Sequence, residues 1–247
     1  MDQEGNPLTS GIALGTASNI EHFSDILGLM IVQNGGDLQK LDRPEAIGAL
    51  ESYRKFAEPP NKVWNEDLPN SITAFAQEKV AMVIVPSWEI QVIKTLNPDI
   101  ELKVTTIPSV PGAKPVSISN YWVEGVSRLS KNQIEAWKFL SFLVKKENMT
   151  KLYELQSKVR LFGEPYSRVD LGELIAQNEY IGAVIKQADN YVSIPSVSRT
   201  YDNGLNDEIV AYLENAVNAT IQGVSYGEAL TTAKNGVDQV LDKYQIK

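Results

Sequence analysis

The chain has 247 residues, 43% of them hydrophobic and 22% charged, enough for one large globular domain or two moderate ones. A net charge of -8, a pI of about 4.9 and basic residues scattered along the chain make nucleic acid a poor partner. Cysteine is absent, which excludes disulfides, thiolate catalysis and cysteine metal sites, and no apolar run approaches the ~20 residues that span a bilayer.

The opening Met1-Asp2-Gln3-Glu4 is acidic and polar, unlike a signal peptide or lipoprotein leader. Ser18 and Glu21 have the spacing of a capping box, in which each side chain satisfies the other's free backbone donor. They predict a helix running to about Gln33, with the only histidine, His22, in its first turn, where the positive end of the helix dipole disfavours an imidazolium. Asp42, Pro44 and Glu45 start a second helix towards Ala57, ended by Pro59-Pro60. Trp64 falls in a loop, either as a rim aromatic or as packing.

A helix carrying Ile72, Phe75 and Ala76 then runs through a basic turn at Lys79 into the apolar run Val80–Val85, which stops at Pro86-Ser87-Trp88. So short an apolar run between turn residues reads as a buried strand. A tryptophan at the exit of such a strand stands where α/β proteins form ligand crevices. The alternative is a core tryptophan capping the strand end. Further strands are expected over Leu102–Ile107 and Tyr121–Ser127. Pro108-Ser109-Val110-Pro111-Gly112 and Gly163-Glu164-Pro165 read as irregular turns or crossovers. Ser130 with Gln133 opens a helix with Ile134, Trp137, Leu140, Leu143 and Val144 on one face, which places Trp137 in the core. Ser225 with Glu228 opens the last helix, with Leu230, Ala233, Val237, Val240 and Tyr244 at helical spacing. Helices dominate, with short strands between them.

Catalysis finds little support. A Ser-His-Asp triad would have to use His22, and no nucleophile-elbow pattern occurs. No His and carboxylate cluster appears at metal-ligand spacing, and neither a P-loop nor Gly-x-Gly-x-x-Gly is present, so no metal or nucleotide cofactor is expected. Thirty-one acidic residues leave a glycosidase-like carboxylate pair open, though none is singled out. Binding is better supported. A sugar ring has an apolar C–H face and a belt of hydroxyls, so its site wants a flat aromatic together with carboxylates or amides. Trp88 is the leading platform, and Glu89 beside it either accepts from hydroxyls or is an exposed helix-start carboxylate.

The order Phe75, Lys79, Ala81-Met82, Ser87-Trp88 resembles the signature of the family 1 extracellular solute-binding proteins of ABC transporters, the maltose-binding-protein-like group. Glu78 and Pro86 stand where that family usually has glycine. A second match runs from Tyr121-Trp122 through Val126-Ser127 and Ser130-Lys131-Asn132 to Ala136-Trp137-Lys138-Phe139-Leu140, with Asn120-Tyr121 in place of a usual glycine pair. A third is the opening, from Gly15-Thr16-Ala17 through Asn19-Ile20 to Gln33-Asn34-Gly35.

The resemblance covers nearly the whole chain and implies an α/β fold, periplasmic-binding-protein-like of the second type, helix-rich and truncated at the N-terminus. It implies a larger lobe from residues 1–107 and 166–247 and a remnant of the other lobe from 108–165. It further implies a carbohydrate, an oligosaccharide or derivative, held in an interlobe cleft, a membrane permease as partner, an extracytoplasmic location, and neither cofactor nor enzyme chemistry. By the same resemblance Trp122 and Tyr121 match a cleft-facing segment of the second lobe, and Tyr166 follows the second crossover. Glu21 and Phe23 align with a ligand-touching helix start, with Asp25 one turn on, although Glu21 is also the capping partner of Ser18. Three alternatives stay open: an interaction module that binds no solute, a glycoside hydrolase, and the same fold with a phosphorylated polyol, for which Arg160 and Arg168 would suit the anion. A missing lobe would leave apolar surface uncovered, so self-association or marginal stability is expected.

Overall fold

The computed structural model describes residues 9–109, 112, 114–194 and 204–246. The chain divides into two units, one of Met1–Ile100, Ile107–Ser119 and Asn190–Lys247, the other of Glu101–Thr106 and Asn120–Asp189. The first unit begins with β1 (Ser10–Ile12), α1 (Phe23–Gln33), α2 (Pro44–Arg54), α3 (Ser71–Ala76), β2 (Val80–Met82), α4 (Glu89–Leu96) and β3 (Ser117–Ile118). The second contributes α5 (Gln133–Leu143), α6 (Lys146–Gln156) and α7 (Gly182–Lys186), and the chain returns to the first unit with β4 (Tyr191–Val192), α8 (Leu205–Ile221) and α9 (Tyr226–Lys243). Both sheets are two-stranded and parallel: β1 on β2, with Ser10 opposite Val80, and β3 on β4, with Ser117 opposite Tyr191. Among the described residues no helix is long and apolar enough to cross a membrane.

Local signals decide several helix starts. Ser225 caps α9, its Oγ accepting from the Glu228 N–H at 3.3 Å. Pro44 sits in the first turn of α2, where its missing N–H costs nothing. Asn70 caps α3, its Oδ1 accepting from the Ile72 N–H at 3.0 Å. The box at Ser18 does not open α1, which starts at Phe23 with His22 in the cap position. Tertiary bonds hold the preceding turn instead. Asn19 Nδ2 donates to the carbonyls of Asn65 and Leu68 at 2.8 and 2.9 Å, and Thr16 donates to Asn19 Oδ1.

The core of the first unit lies between α1, α2, α8 and α9, with Ile26, Leu27, Leu50, Leu213, Val217 and Leu230 among its buried side chains. Each such burial contributes about 1.5–3 kcal/mol relative to exposure. Trp64 joins this core fully buried, its indole N–H shared between Thr16 Oγ1 at 3.1 Å and Asn19 Oδ1 at 3.0 Å, so it is packing.

Four expectations need correction. The run Val80–Val85 pairs only as far as Met82, which is 55% exposed, because a two-stranded sheet supplies a ladder on one edge and no second covering layer. Leu102–Ile107 and Tyr121–Ser127 form no strands; Leu102 and Val104 are half-buried between exposed neighbours, a strand-like alternation with no partner to complete it. Trp137 is 57% exposed, since within its unit the α5 face carrying Ile134, Trp137 and Phe142 is left uncovered. The small core of that unit is built by Phe162, Leu171, Ile175 and Ile181. Gly163-Glu164-Pro165 is irregular, as expected, while Val110 and Pro111 of the earlier turn and the opening Met1–Glu4 lie outside the described residues.

Candidate functional site

The segment leaving β2 turns at Pro86-Ser87 and places Trp88 in the cap position of α4, with Glu89 as its first residue. The start of α1 comes alongside and brings Glu21, His22 and Asp25 to the same place, all within the first unit. Trp88 is 36% exposed, and its Nε1 donates to Glu89 Oε1 at 3.1 Å. His22 stands edge-on to the indole, with ring centroids 6.3 Å apart and planes at 72°. Its Nε2 lies 3.1 Å from Glu89 Oε1 and its Nδ1 3.4 Å from Asp25 Oδ2.

His22 and Glu89 are each 1% exposed and Asp25 is 5% exposed. Burial alone would depress the His22 pKa, but the hydrogen bonds and charges of Asp25 and Glu89 outweigh it and hold the imidazole above its ordinary 6.5. A buried charge is tolerable only when paired and hydrogen-bonded in this way. Glu89 Oε1 is the shared acceptor, tying the indole to α1. The indole N–H is thus engaged within the protein, while the ring keeps solvent-facing area on which an apolar C–H surface can stack.

Of the residues singled out in the sequence, Trp88, Glu89, Glu21 and Asp25 meet here, Glu21 only partly buried. Phe23 is 5% exposed and packs in the core at the start of α1. Tyr121 and Trp122, exposed by 67% and 76%, belong to the second unit, as does Tyr166, whose ring lies 5.1 Å from that of Tyr153. The two arginines suited to an anion are already paired: Arg168 forks onto Asp170 at 2.9 and 3.1 Å, and Arg160 meets Glu164 at 3.0 Å.

Sequence reasoning missed the His22–Glu89 pair; it offered Glu89 as a hydroxyl acceptor or an exposed helix-start carboxylate, and the structure buries it. The two residues are 67 apart and no spacing rule links them. The usable signal was indirect: Trp88 was singled out as the platform and Glu21 by the resemblance, and Glu89 and His22 are their immediate chain neighbours.

Two solved structures share this fold. One is an ABC transporter solute-binding protein from Thermotoga lettingae TMO bound with alpha-D-tagatose, 23% identical, TM-score 0.68, covering 98% of this chain and 61% of its own. The other is a cyclo/maltodextrin-binding protein complexed with maltotetraose, 19% identical, TM-score 0.71, covering 95% of this chain and 60% of its own. The chain therefore spans about three fifths of the length of each. The fold is the helix-rich α/β fold of the periplasmic-binding-protein class, second type. A family model described as bacterial extracellular solute-binding protein matches residues 11–159, and the chain belongs to that family. No curated protein matches it.

Proposed function

We propose that this chain acts as the solute-binding component of an ABC importer and captures a carbohydrate, an oligosaccharide or derivative, against the indole of Trp88. The observation that carries the reading is a 36% exposed tryptophan whose N–H is anchored to a buried glutamate. An anchored ring loses little side-chain freedom on binding, so stacking a sugar face on it yields net affinity. The bound tagatose and maltotetraose of the two similar structures support a sugar over other solutes. Glu21, partly exposed beside the ring, is the hydroxyl acceptor in this reading, with Phe23 supporting the helix start from the core.

In the same reading Tyr121 and Trp122 contribute to solute binding from the second lobe, and Tyr166 contributes from just after the second crossover. The larger lobe, 1–107 with 166–247, rests mainly on the first unit, and 108–165 falls mainly in the second, whose own limits run on to Asp189. The protein works outside the cytoplasm, hands its cargo to a membrane permease, and performs no catalysis. Calorimetric titration against a panel of mono- and oligosaccharides tests this. Saturable heat with at least one sugar is expected; a flat response across the panel, from protein with intact helical circular dichroism, would contradict it.

A second reading has its own observation. The α5 face with Ile134 at 67%, Trp137 at 57% and Phe142 at 52% exposure fits an interaction surface through which copies of the chain associate.

A further inference from the structure

Three side chains of the first unit present metal-ligating atoms to one another at the foot of the Trp88 indole. Glu21, His22 and Glu89 each offer one such atom, and all three atoms lie within 4.8 Å of one another. His22 Nε2 and Glu89 Oε1 are already 3.1 Å apart. Two ligands held about 2.0–2.1 Å from zinc at a tetrahedral angle stand roughly 3.4 Å apart, so this pair needs to open by only a few tenths of an ångström. Asp25 Oδ2 lies 3.4 Å from the other ring nitrogen, Nδ1. A carboxylate there, accepting the Nδ1 proton, fixes the tautomer whose Nε2 lone pair faces a metal, which is the usual second-layer partner of a metal-bound histidine.

His22 and Glu89 are 1% exposed, while Glu21 is partly exposed and marks the side from which an ion enters. A mixed nitrogen and oxygen donor set with one imidazole suits zinc and its first-row neighbours, whereas calcium and magnesium prefer oxygen alone.

We propose that Glu21, His22 and Glu89 form a three-ligand site for a divalent transition-metal ion of the zinc type, with water completing its coordination. Binding exchanges the His22–Glu89 hydrogen bond for two metal bonds. It also withdraws Glu89 Oε1 from Trp88 Nε1, so the indole senses occupancy. The site shares Glu21 and Glu89 with the proposed sugar site, but its test uses no sugar, so either reading can fail without the other.

The composition makes the test clean, because the chain has one histidine and no cysteine. Tag-free protein, stripped with a chelator, is titrated with zinc chloride by calorimetry, with calcium chloride as the control. In parallel the His22 ring nitrogens, the only imidazole signals, are followed by nitrogen–proton correlation NMR. One equivalent of zinc is expected to bind, the Nε2 resonance to shift on binding, and calcium to give no such shift. Glu21→Gln, at a partly exposed position, is expected to weaken zinc about tenfold or more while circular dichroism stays native; His22→Asn abolishes binding. The proposal is overturned if zinc gives no heat, if it binds without moving the Nε2 resonance, or if folded Glu21→Gln binds it as tightly as the parent chain.

Discussion

Glu78 offers a sharp test of how backbone conformation sets up the strand that leads to Trp88. It closes the turn between α3 and β2 at φ 59°, in the left-handed region. Its own N–H donates to Phe75 O at 2.9 Å and the next N–H, of Lys79, to Ala74 O at 2.8 Å, so the turn is hydrogen-bonded as a helix end should be. A left-handed conformation costs an L-residue about 1–2 kcal/mol, whereas glycine adopts it freely and gives back about 0.5–1 kcal/mol through its looser unfolded chain. Its side chain is exposed and has no hydrogen bond or ion pair among the described residues, so truncation removes no polar contact. Glu78→Gly is therefore expected to stabilise the fold by about 0.5–1 kcal/mol, or roughly 1–4 °C in Tm for a chain of this size. Scanning calorimetry of Glu78→Gly beside Glu78→Ala measures it, because alanine shortens the side chain but keeps the strained φ. Equal Tm gains for both variants, or none for glycine, would refute the backbone argument.

The remaining predictions concern the core, the uncovered helix face and the loop tryptophan. Gly236→Ala would drive a Cβ to 2.1 Å from the Tyr212 ring, where α9 lies against α8. Destabilisation by about 1–3 kcal/mol is expected in urea unfolding despite alanine's better helix propensity, and a neutral result would mean the ring swings aside freely. Trp64→Phe removes the indole N–H that reaches Thr16 and Asn19, and a loss of about 1–2 kcal/mol by the same method is expected; no loss would show that Thr16 and Asn19 satisfy each other alone. Sedimentation velocity should find concentration-dependent association that Ile134→Glu with Phe142→Glu abolishes, and a parent chain that stays monomeric at high concentration would contradict the role given to α5.

What could be read in advance follows the range of the physics. Ser225, Pro44 and the apolar stripe of α9 act within a few residues, so α2 and α9 were legible in the sequence. Ser18 carried an equally good local pattern, yet Asn19 is tied to carbonyls 46 and 49 residues away, and those bonds delay α1. Trp137 shows the limit of periodicity. A stripe along α5 says which side chains share a face but not whether any element lies over them. At the site, Trp88 was accessible because an aromatic ending an apolar run has a structural meaning. The buried His22–Glu89–Asp25 network was not, since burial of charge is decided by which distant elements meet.

Contact between the Trp88 indole and the solute is the central claim. The most direct measurement compares the parent chain with Trp88→Ala, titrating both with the sugar that the parent binds most tightly. Removing a ring of this kind from the centre of a contact costs about 2 kcal/mol, or roughly thirtyfold in Kd. The account predicts a loss of that order with the helical circular dichroism unchanged. Unaltered affinity in the folded variant would contradict it.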